Sequence, residues 1–304
     1  MILTVTPNPA IDLTYRVASL HAGESHRVAP PAVRAGGKGI NVARVIMQSG
    51  GAAFALTTAG GGTGLGLTDD LDAARLPYEV VAVTAPTRSS IAIVDDDAGE
   101  TTIFNETGRP LTSAEWTAVS DAIERLAVPA TCLVGSGSLP PGAPDDFYAR
   151  LVATAAVRGI PSIVDAVGPA LLLAAEARAT VLKPNLRELA ETTGRSDPVE
   201  GARELLARGA RIVLVSLGAD GMLAVRTGSA PVRARLGERL RGNPTGAGDA
   251  AVASVASHLA EGETELEQLV RRATAWSAAA VLAPLAGELD PDFRAFEPRV
   301  LVER

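Results

Sequence analysis

GNPTGAGDAAVASVASHLAEG, residues 242–262, runs from a glycine-rich turn into a long stretch of small and apolar residues that predicts a helix. Gly246, Ala247, Gly248 and Asp249 stand where that helix begins, so the free N–H groups of its first turn and the positive end of its dipole point at the loop. Such a helix start favours anions, phosphate among them. We interpret Asp249 as a base that takes a proton from a hydroxyl attacking phosphorus, with the three residues before it as the anion hole. The alternative is that Asp249 only caps the helix.

Around this stretch, apolar β-branched runs alternate with amphipathic segments rich in Ala and Leu. The candidate strands are ILTVT, AAFALTT, YEVVAV, TCLVGS, PSIVDA, TVLKPN and RIVLVSL, and the candidate helices are GINVARVIMQSG, DDFYARLVATAAVRG and PVEGARELLARGA. This alternation is typical of a mostly parallel sheet covered by helices on both faces. We therefore predict an α/β fold, a three-layer α/β/α sandwich, in one domain over residues 1–304. A clean G-x-G-x-x-G and a P-loop motif are both absent, which disfavours a nicotinamide dinucleotide fold and P-loop chemistry.

Two segments interrupt the alternation. Residues 12–33 and 88–106 instead show short alternating strands with turn signals at His21-Ala22-Gly23 and Asp97-Ala98-Gly99. We predict that these two excursions from the main domain form one small β-sheet, which lies as a lid over an active-site edge. Two independent surface hairpins are the alternative.

The composition excludes several classes of partner. With 47% hydrophobic residues the chain is globular, and with 3% aromatic residues and a formal charge of −7 it has little to offer nucleic acid or an anionic membrane. We expect neither as a partner. The chain shows no basic leader and no run of about 20 apolar residues, which predicts a cytoplasmic protein. Cys132 alone makes no disulfide, and His21, His26 and His258 lack metal-ligand spacing.

Lysine is rare in this chain. Of 28 Lys and Arg residues only Lys38 and Lys183 are lysines, and both lie among Gly, Pro and Asn, where a compact ammonium can meet a phosphate more easily than a guanidinium can. VLKPNLREL, residues 181–189, also puts Asn185 and Glu188 on one face of a helix start, where they could organise a hydrated Mg²⁺ near a polyphosphate. A plain capping box fits the same letters equally well.

Three further motifs carry candidate binding residues. TPNPAIDLTY puts Asp12 after the first strand, and AGGKGINVAR puts Gly37 and Asn41 at a helix start. Asp and Asn suit hydrogen bonds to sugar hydroxyls, and paired glycines let the backbone approach a ligand. In VSLGADGML, Ser216 and Gly218 would let a nucleotide approach the backbone closely. Turn chemistry alone is the alternative for each motif.

Together these motifs resemble the PfkB, or ribokinase-type, family of sugar kinases, from residue 1 to about residue 285. GGKGINVAR is similar to the family's N-terminal signature, NPTGAGDA is similar to its C-terminal signature, and KPNLREL contains its N-x-x-E element. TPNPAID, NETG, SGSLPPG and KPNLREL resemble the branch that contains fructose-1-phosphate kinases and tagatose-6-phosphate kinases.

The resemblance implies a ribokinase-like sandwich with a β lid, ATP with Mg²⁺ as phosphoryl donor, a sugar or sugar phosphate as acceptor, and a homodimer formed through the lids. It implies the following roles: base, Asp249; anion hole, Gly246, Ala247 and Gly248; sugar hydroxyls, Asp12, Gly37 and Asn41; substrate phosphate, Lys38, Arg27 and Arg88; ATP, Lys183, Asn185, Ser216 and Gly218; magnesium, Glu188 through water and Asn185. It places Lys38 on the acceptor side of the transfer and Lys183 on the nucleotide side.

The expected function is therefore an ATP-dependent kinase of a phosphorylated ketohexose, fructose 1-phosphate or tagatose 6-phosphate. Two positions depart from this branch: TTIFNETG has no basic residue where some phosphosugar kinases have one, and Arg34-Ala35 stands where a proline often precedes the glycines. Two alternatives remain open. One is a kinase of an unphosphorylated hexose or a nucleoside on the same fold, and the other is a non-catalytic sugar-phosphate sensor.

Overall fold

The computed structural model describes residues 1–304 and contains fourteen strands and nine α-helices. The strands are β1 (Ile2–Thr6), β2 (Ala10–Val17), β3 (Ala32–Gly36), β4 (Ala53–Ala59), β5 (Tyr78–Ala82), β6 (Arg88–Asp95), β7 (Glu100–Asn105), β8 (Cys132–Ser136), β9 (Ser162–Asp165), β10 (Val181–Leu182), β11 (Ile212–Ser216), β12 (Met222–Arg226), β13 (Val232–Leu236) and β14 (Val300–Glu303). The helices are α1 (Lys38–Gln48), α2 (Gly61–Ala73), α3 (Ser113–Leu126), α4 (Phe147–Val157), α5 (Pro169–Glu176), α6 (Leu186–Thr193), α7 (Pro198–Arg208), α8 (Ala247–Ala260) and α9 (Leu266–Leu282).

Ten strands form the main sheet, in the order β14-β13-β12-β11-β10-β9-β8-β1-β4-β5. The seven strands from β11 to β5 are parallel, and β12, β13 and β14 extend one edge in antiparallel pairing. Parallel strands expose their carboxyl ends at one edge of a sheet, where the loops that follow them meet.

Helices cover both faces of this sheet because its strands are apolar on both sides. Along β1, Ile2 belongs to a core cluster of 41 buried residues and its neighbour Leu3 to a second cluster of 31. The first cluster includes residues of α1, α2, α8 and α9, and the second includes residues of α3 to α7. The predicted α/β/α sandwich is confirmed. No helix is both long enough and apolar enough to cross a bilayer.

The second sheet has four strands, in the order β3-β2-β6-β7. Strand β2 pairs with β3 in antiparallel and with β6 in parallel fashion, and β6 and β7 form a hairpin. The turn expected at His21-Ala22-Gly23 is present, closed by a hydrogen bond from the Glu24 N–H to His21 O, and it belongs to a longer loop over residues 18–31. Register pairs Asp12 of β2 with Arg34 on one side and Ser90 on the other, which fixes the face that Asp12 presents.

Candidate active site

Two adjoining cavities lie at the carboxyl ends of the parallel strands. The larger, about 870 Å³, is bounded by the ends of β9 and β10, the start of α1 and the small sheet. The smaller, about 490 Å³, lies between β11, β12, β13 and α9. Asn185, Ser216 and Gly248 line both cavities, so the two spaces meet beside the first turn of α8.

Asp249 lies at this junction, on the first turn of α8. Its side chain is buried, and Oδ2 accepts a 2.8 Å hydrogen bond from Asn41 Nδ2 of α1. The residue that caps α8 is Gly246, and no side chain caps the helix, so Asp249 does not serve as the cap. Gly246 has φ +87°, and a Cβ there would lie 3.0 Å from Ala286 Cα, which explains why the turn needs glycine.

The environment of Asp249 suits a group that exchanges a proton near neutral pH. Burial is the largest cause that raises its pKa, the negative charge of Asp165 adds to it, and Lys38, Lys183 and the hydrogen bond from Asn41 act in the opposite direction; the result is a pKa of about 7. A carboxylate with a pKa near 7 is a stronger base than an ordinary one and is still mostly ionised at pH 8.

Lys38 and Lys183 reach the same buried carboxylate. Lys38 Nζ donates a 3.0 Å hydrogen bond to Asp165 Oδ1, and Lys183 Nζ lies 3.4 Å from Asp165 Oδ2. Lys38 Nζ also lies 3.8 Å from Glu188 Oε1. One aspartate thus holds both lysines, and the assignment of Lys38 to the acceptor side and Lys183 to the nucleotide side stays a prediction.

The lid side of the larger cavity carries Asp12 and Arg88. The Asp12 carboxylate packs on the backbone of Gly36, where a Cβ would lie 2.1 Å from Oδ2. Burial raises the pKa of Asp12 to about 6, although Arg88, Arg34 and Ser90 act to lower it. The Arg88 guanidinium donates to the carbonyl oxygens of Asn8 at 3.2 Å and Glu106 at 3.1 Å.

Asn185 and Glu188 form the capping box that was one of the two interpretations of KPNLREL. Asn185 Oδ1 accepts from the Glu188 N–H, and Glu188 Oε2 accepts from the Asn185 N–H, both at 2.8 Å. Glu188 Oε1 takes no part in the cap. No three His, Cys, Asp or Glu side chains are grouped to enclose a metal, so the donor set fits a hydrated Mg²⁺ held through Oε1 better than a dehydrated ion in a protein cage.

A model of the pfkB family carbohydrate kinases matches residues 6–292 of this chain. The chain belongs to this family. It is 37% identical over 286 residues to a 1-phosphofructokinase of Xanthomonas campestris, covering 90% of this chain and 89% of that protein. It is 35% identical over 295 residues to an ATP-dependent 6-phosphofructokinase isozyme 2 of Mycobacterium tuberculosis, covering 93% and 84%. Escherichia coli phosphofructokinase-2 in complex with fructose-6-phosphate superposes with a TM-score of 0.88 at 31% identity, covering 98% of each chain.

Membership confirms two of the predictions made from sequence. The chain is a PfkB carbohydrate kinase with a ribokinase-like fold, and hence a phosphotransferase whose acceptor is an alcohol group. The sequence motifs reached this level because both family signatures are intact.

Of the residues predicted to bind substrate in this PfkB kinase, all but one line the larger cavity. Those that do are Asp12, Gly37, Lys38, Asn41 and Arg88. Arg27 lies exposed in the loop between β2 and β3 and lines neither cavity. Among the residues predicted to bind ATP, Lys183 lines the larger cavity only, Gly218 the smaller only, and Asn185 and Ser216 both. Ala247 of the predicted anion hole lines the smaller cavity.

The motifs missed several residues of the site. Asp165 is fully buried at the end of β9, and in the sequence it stands out only as part of the candidate strand PSIVDA. The sequence did hold a signal for Asp165, because an acidic residue at the carboxyl end of a parallel strand lies where ligands bind in such sheets. Asn8 was missed as well; its side chain donates to Thr107 O at 3.1 Å and Ser138 Oγ at 3.2 Å, which ties the lid end to the loop after β8.

Proposed function

We propose that this protein transfers the γ-phosphoryl group of ATP to a hydroxyl of a phosphorylated ketohexose, with Asp249 as the base. The observation that carries the proposal is the buried Asp249 carboxylate, held by Asn41 at the meeting point of the two cavities and at the N-terminus of α8. An acceptor in the larger cavity and a nucleotide in the smaller one would meet at this point.

In this proposal Asp249 accepts the proton of the attacking hydroxyl, and the amides of Gly246, Ala247 and Gly248 hold the oxygens of the transferring group. Lys183 supports that position, since its Nζ would lie 3.3 Å from a Cβ placed on Gly248. Positive charge next to free helix N–H groups stabilises the charge on a transferring phosphoryl group.

The sugar that accepts the phosphoryl group is proposed to carry a phosphate of its own. The reason is that the lid side of the cavity has a cation, Arg88, beside a carboxylate, Asp12, that can accept hydrogen bonds from sugar hydroxyls. Arg88 uses two of its N–H groups on backbone carbonyls and retains donors for a phosphate, while Asp12 next to it can accept from sugar hydroxyls. Fructose 1-phosphate and tagatose 6-phosphate are the acceptors expected from the sequence. The relatives named as 6-phosphofructokinases add fructose 6-phosphate to them.

The smaller cavity is proposed to hold the nucleotide. Gly218 has open space where a side chain would stand, and α9 supplies small residues such as Ala278 to the wall, so a flat base can lie against the backbone. Mg²⁺, bound together with ATP, would neutralise phosphate charge, and its waters would be held by Glu188 Oε1 and by Asn185.

We also propose a homodimer formed through the small sheet. Val33 of β3 and Phe104 of β7 are 54% and 59% exposed, which is unusual for apolar residues on a sheet and supports contact with a second copy. The exposed Arg27 lies in the loop next to this surface. Light scattering of the wild-type protein and of a Val33→Glu/Phe104→Glu variant would test the dimer, and a monomeric wild type would contradict it.

A coupled assay of ATP turnover across fructose 1-phosphate, fructose 6-phosphate, tagatose 6-phosphate, fructose, tagatose and adenosine tests the function. We expect kcat/KM for at least one phosphorylated ketohexose to exceed that for every unphosphorylated compound. Equal or faster turnover of the free sugars or of adenosine would overturn the choice of acceptor. Tight binding of a sugar phosphate by calorimetry without any turnover would indicate a sensor and overturn the catalytic proposal.

A further inference from the structure

Asp165 is the one carboxylate on which both lysines of this chain converge. It lies at the end of β9 with 0% exposure, and Lys38 and Lys183 approach its two oxygens from α1 and from the loop after β10. The other 26 cationic side chains of the chain are arginines, so the ammonium groups are concentrated at this single carboxylate.

Each lysine is held where a transferring phosphoryl group would pass. Lys183 Nζ lies next to Gly248, whose amide belongs to the first turn of α8. Lys38 Nζ lies within 3.8 Å of Glu188 and close enough to Asp249 to lower the pKa of that carboxyl. Asp165 Oδ2 accepts no hydrogen bond, although Lys183 is 3.4 Å away, so Lys183 is retained by charge and stays free to donate elsewhere.

We propose that Asp165 is a positioning residue for phosphoryl transfer, whose buried charge holds the ammonium groups of Lys38 and Lys183 at the N-terminus of α8. This inference rests on the proposed transfer at Asp249. Asp165 does not touch the reacting atoms; it acts through the two lysines, and through its own charge on Asp249.

Stability alone does not account for this arrangement. Removing a carboxylate and two ammonium groups from water is costly, and apolar residues of the same volume commonly stabilise a protein as well or better. The opposite end of β9, at Ser162, is buried without a charge, whereas Asp165, Lys38 and Lys183 all line the larger cavity. The position of this ionic cluster therefore points to function.

The charged and titratable groups that face Asp165 define what its removal would do. They are Lys38, Lys183, Glu188, Asp249 and Tyr148, whose hydroxyl donates to Gly137 O at 2.7 Å. Burial alone would raise the pKa of Asp165, but Lys183 and Lys38 hold it below its ordinary value, so the group is a fixed anion at working pH.

The first test is Asp165→Asn, which preserves shape and an acceptor for Lys38 but removes the charge. We expect kcat to fall about 100-fold, as when one preorganised donor to a transition state is lost, with a much smaller change in KM for the sugar phosphate. Because the charge of Asp165 raises the pKa of Asp249, the acidic limb of the kcat/KM profile should also move to lower pH. A purely structural role would lower activity through unfolding and leave this limb in place.

A matched control is Asp70→Asn. Asp70 also pairs with a buried cation, Arg44, and accepts from the Ala35 N–H at 2.8 Å, but it lines neither of the two active-site cavities. Its loss should lower the melting temperature without moving the acidic limb.

Since Asp165→Asn leaves Lys183 buried without its counter-ion and so lowers stability, the charge-balanced double variant Asp165→Asn/Lys183→Met provides a folded comparison. Because both changes remove the same interaction, kcat of the double variant should be no lower than kcat of the slower single variant, either Asp165→Asn or Lys183→Met.

The two-lysine composition gives a readout independent of activity. Protein labelled with ¹³C at lysine Cε should show two side-chain signals, assigned with Lys38→Arg. The neighbouring carboxylates, Asp165 foremost, outweigh burial and raise the pKa of Lys38 above its ordinary value. In Asp165→Asn both the Lys38 and the Lys183 signals should change their chemical shifts, because each ammonium loses the carboxylate beside it.

The outcomes separate this inference from the proposed function. If Asp165→Asn retains wild-type kcat and both lysine signals are unchanged, the positioning role is wrong even though the kinase reaction stands. If the lysine signals change as expected but no acceptor of the panel is phosphorylated, the proposed function fails while the positioning of the lysines remains. A fall in kcat with an unmoved acidic limb and unchanged lysine signals would also overturn the inference.

Discussion

Asn41 Nδ2 donates a 2.8 Å hydrogen bond to Asp249 Oδ2, joining residues 208 positions apart in sequence. Asn41 lies on α1, within GGKGINVAR, and Asp249 lies on the first turn of α8, within NPTGAGDA. The two family signatures are thus one site in space. The amide keeps the buried carboxylate oriented and favours its ionised form.

Replacing Asn41 with Ala should shift the pH dependence of catalysis. The hydrogen bond from Asn41 lowers the pKa of Asp249, so without it the pKa should rise and the acidic limb of kcat/KM should move to higher pH. The loss of rate should therefore be larger at pH 6 than at pH 8.5. A matched control on the same helix is Gln48→Ala, which loses two 2.8 Å hydrogen bonds with the Leu289 backbone but should leave the limb unmoved. An unshifted limb in Asn41→Ala would contradict this prediction.

Asp249→Asn should abolish transfer and stabilise the protein at alkaline pH. The folded-state pKa of about 7 lies above the ordinary value of 3.8, so the stabilisation of the protonated form is present below about pH 4 and is lost as pH rises through 7. Asn stays neutral and avoids that loss, which is on the order of 1–4 kcal/mol. We expect kcat to fall at least about 100-fold. Differential scanning fluorimetry without ligands should show a melting temperature above wild type at pH 8 and a smaller difference at pH 5.

Equal changes in melting temperature at the two pH values would show that Asp249 is not titrating in this range. Calorimetry with a sugar phosphate controls for binding, since a variant that has lost only the base should keep its affinity. Retained transfer would remove Asp249 from the role of base.

The local residue patterns were sufficient to predict the seven parallel strands and five of the nine helices, because each of these needs only its own apolar period and turn residues. Four helices, α2, α3, α5 and α9, were not identified from sequence. The same patterns did not identify residues and strands whose place in the structure depends on contacts with distant parts of the sequence. Asp165 reads as one more residue of an apolar run until the fold brings Lys38 and Lys183 to it. The edge strands β13 and β14 were not identified from sequence, since their pairing joins segments that have both α8 and α9 between them.

Arg27 shows the opposite limit. The family resemblance assigned Arg27, as an arginine of the lid segment, to the phosphate of the substrate. In the structure Arg27 lies in the loop over residues 18–31, outside the cavity of its own chain. Sequence position on a long loop does not determine where a side chain lies, since such loops lack the register that fixes Asp12 between its neighbours on β3 and β6.

Gly246→Ala should lower kcat by more than its loss of stability explains. Its φ of +87° would cost an alanine about 1–2 kcal/mol, and the new Cβ would also press on Ala286 and Gly287 at 3.0–3.2 Å. Gly262, after the other end of α8, has the same φ of +87° with nothing within 4 Å, so Gly262→Ala carries the backbone cost alone. We expect the melting temperature to fall in both variants, further in Gly246→Ala because of the added contacts, but a loss of kcat of about 10-fold or more only in Gly246→Ala, because displaced amides no longer meet the transferring oxygens. Equal kcat in both variants would remove the first turn from the anion hole.

Arg88→Ala should separate phosphorylated from free acceptors. If Arg88 makes a charge-assisted contact to the phosphate of the substrate, its loss should cost about 1.5–3 kcal/mol, which is about a 10- to 150-fold fall in kcat/KM for the sugar phosphate, expressed mainly in KM. The same change should have little effect on the weak turnover of the free sugar. Arg16→Ala removes an exposed arginine of the same sheet, paired with Asp96 outside the cavity, and should leave both substrates unaffected. An equal loss on free and phosphorylated sugars would show instead that Arg88 acts by holding the Asn8 and Glu106 carbonyls in place.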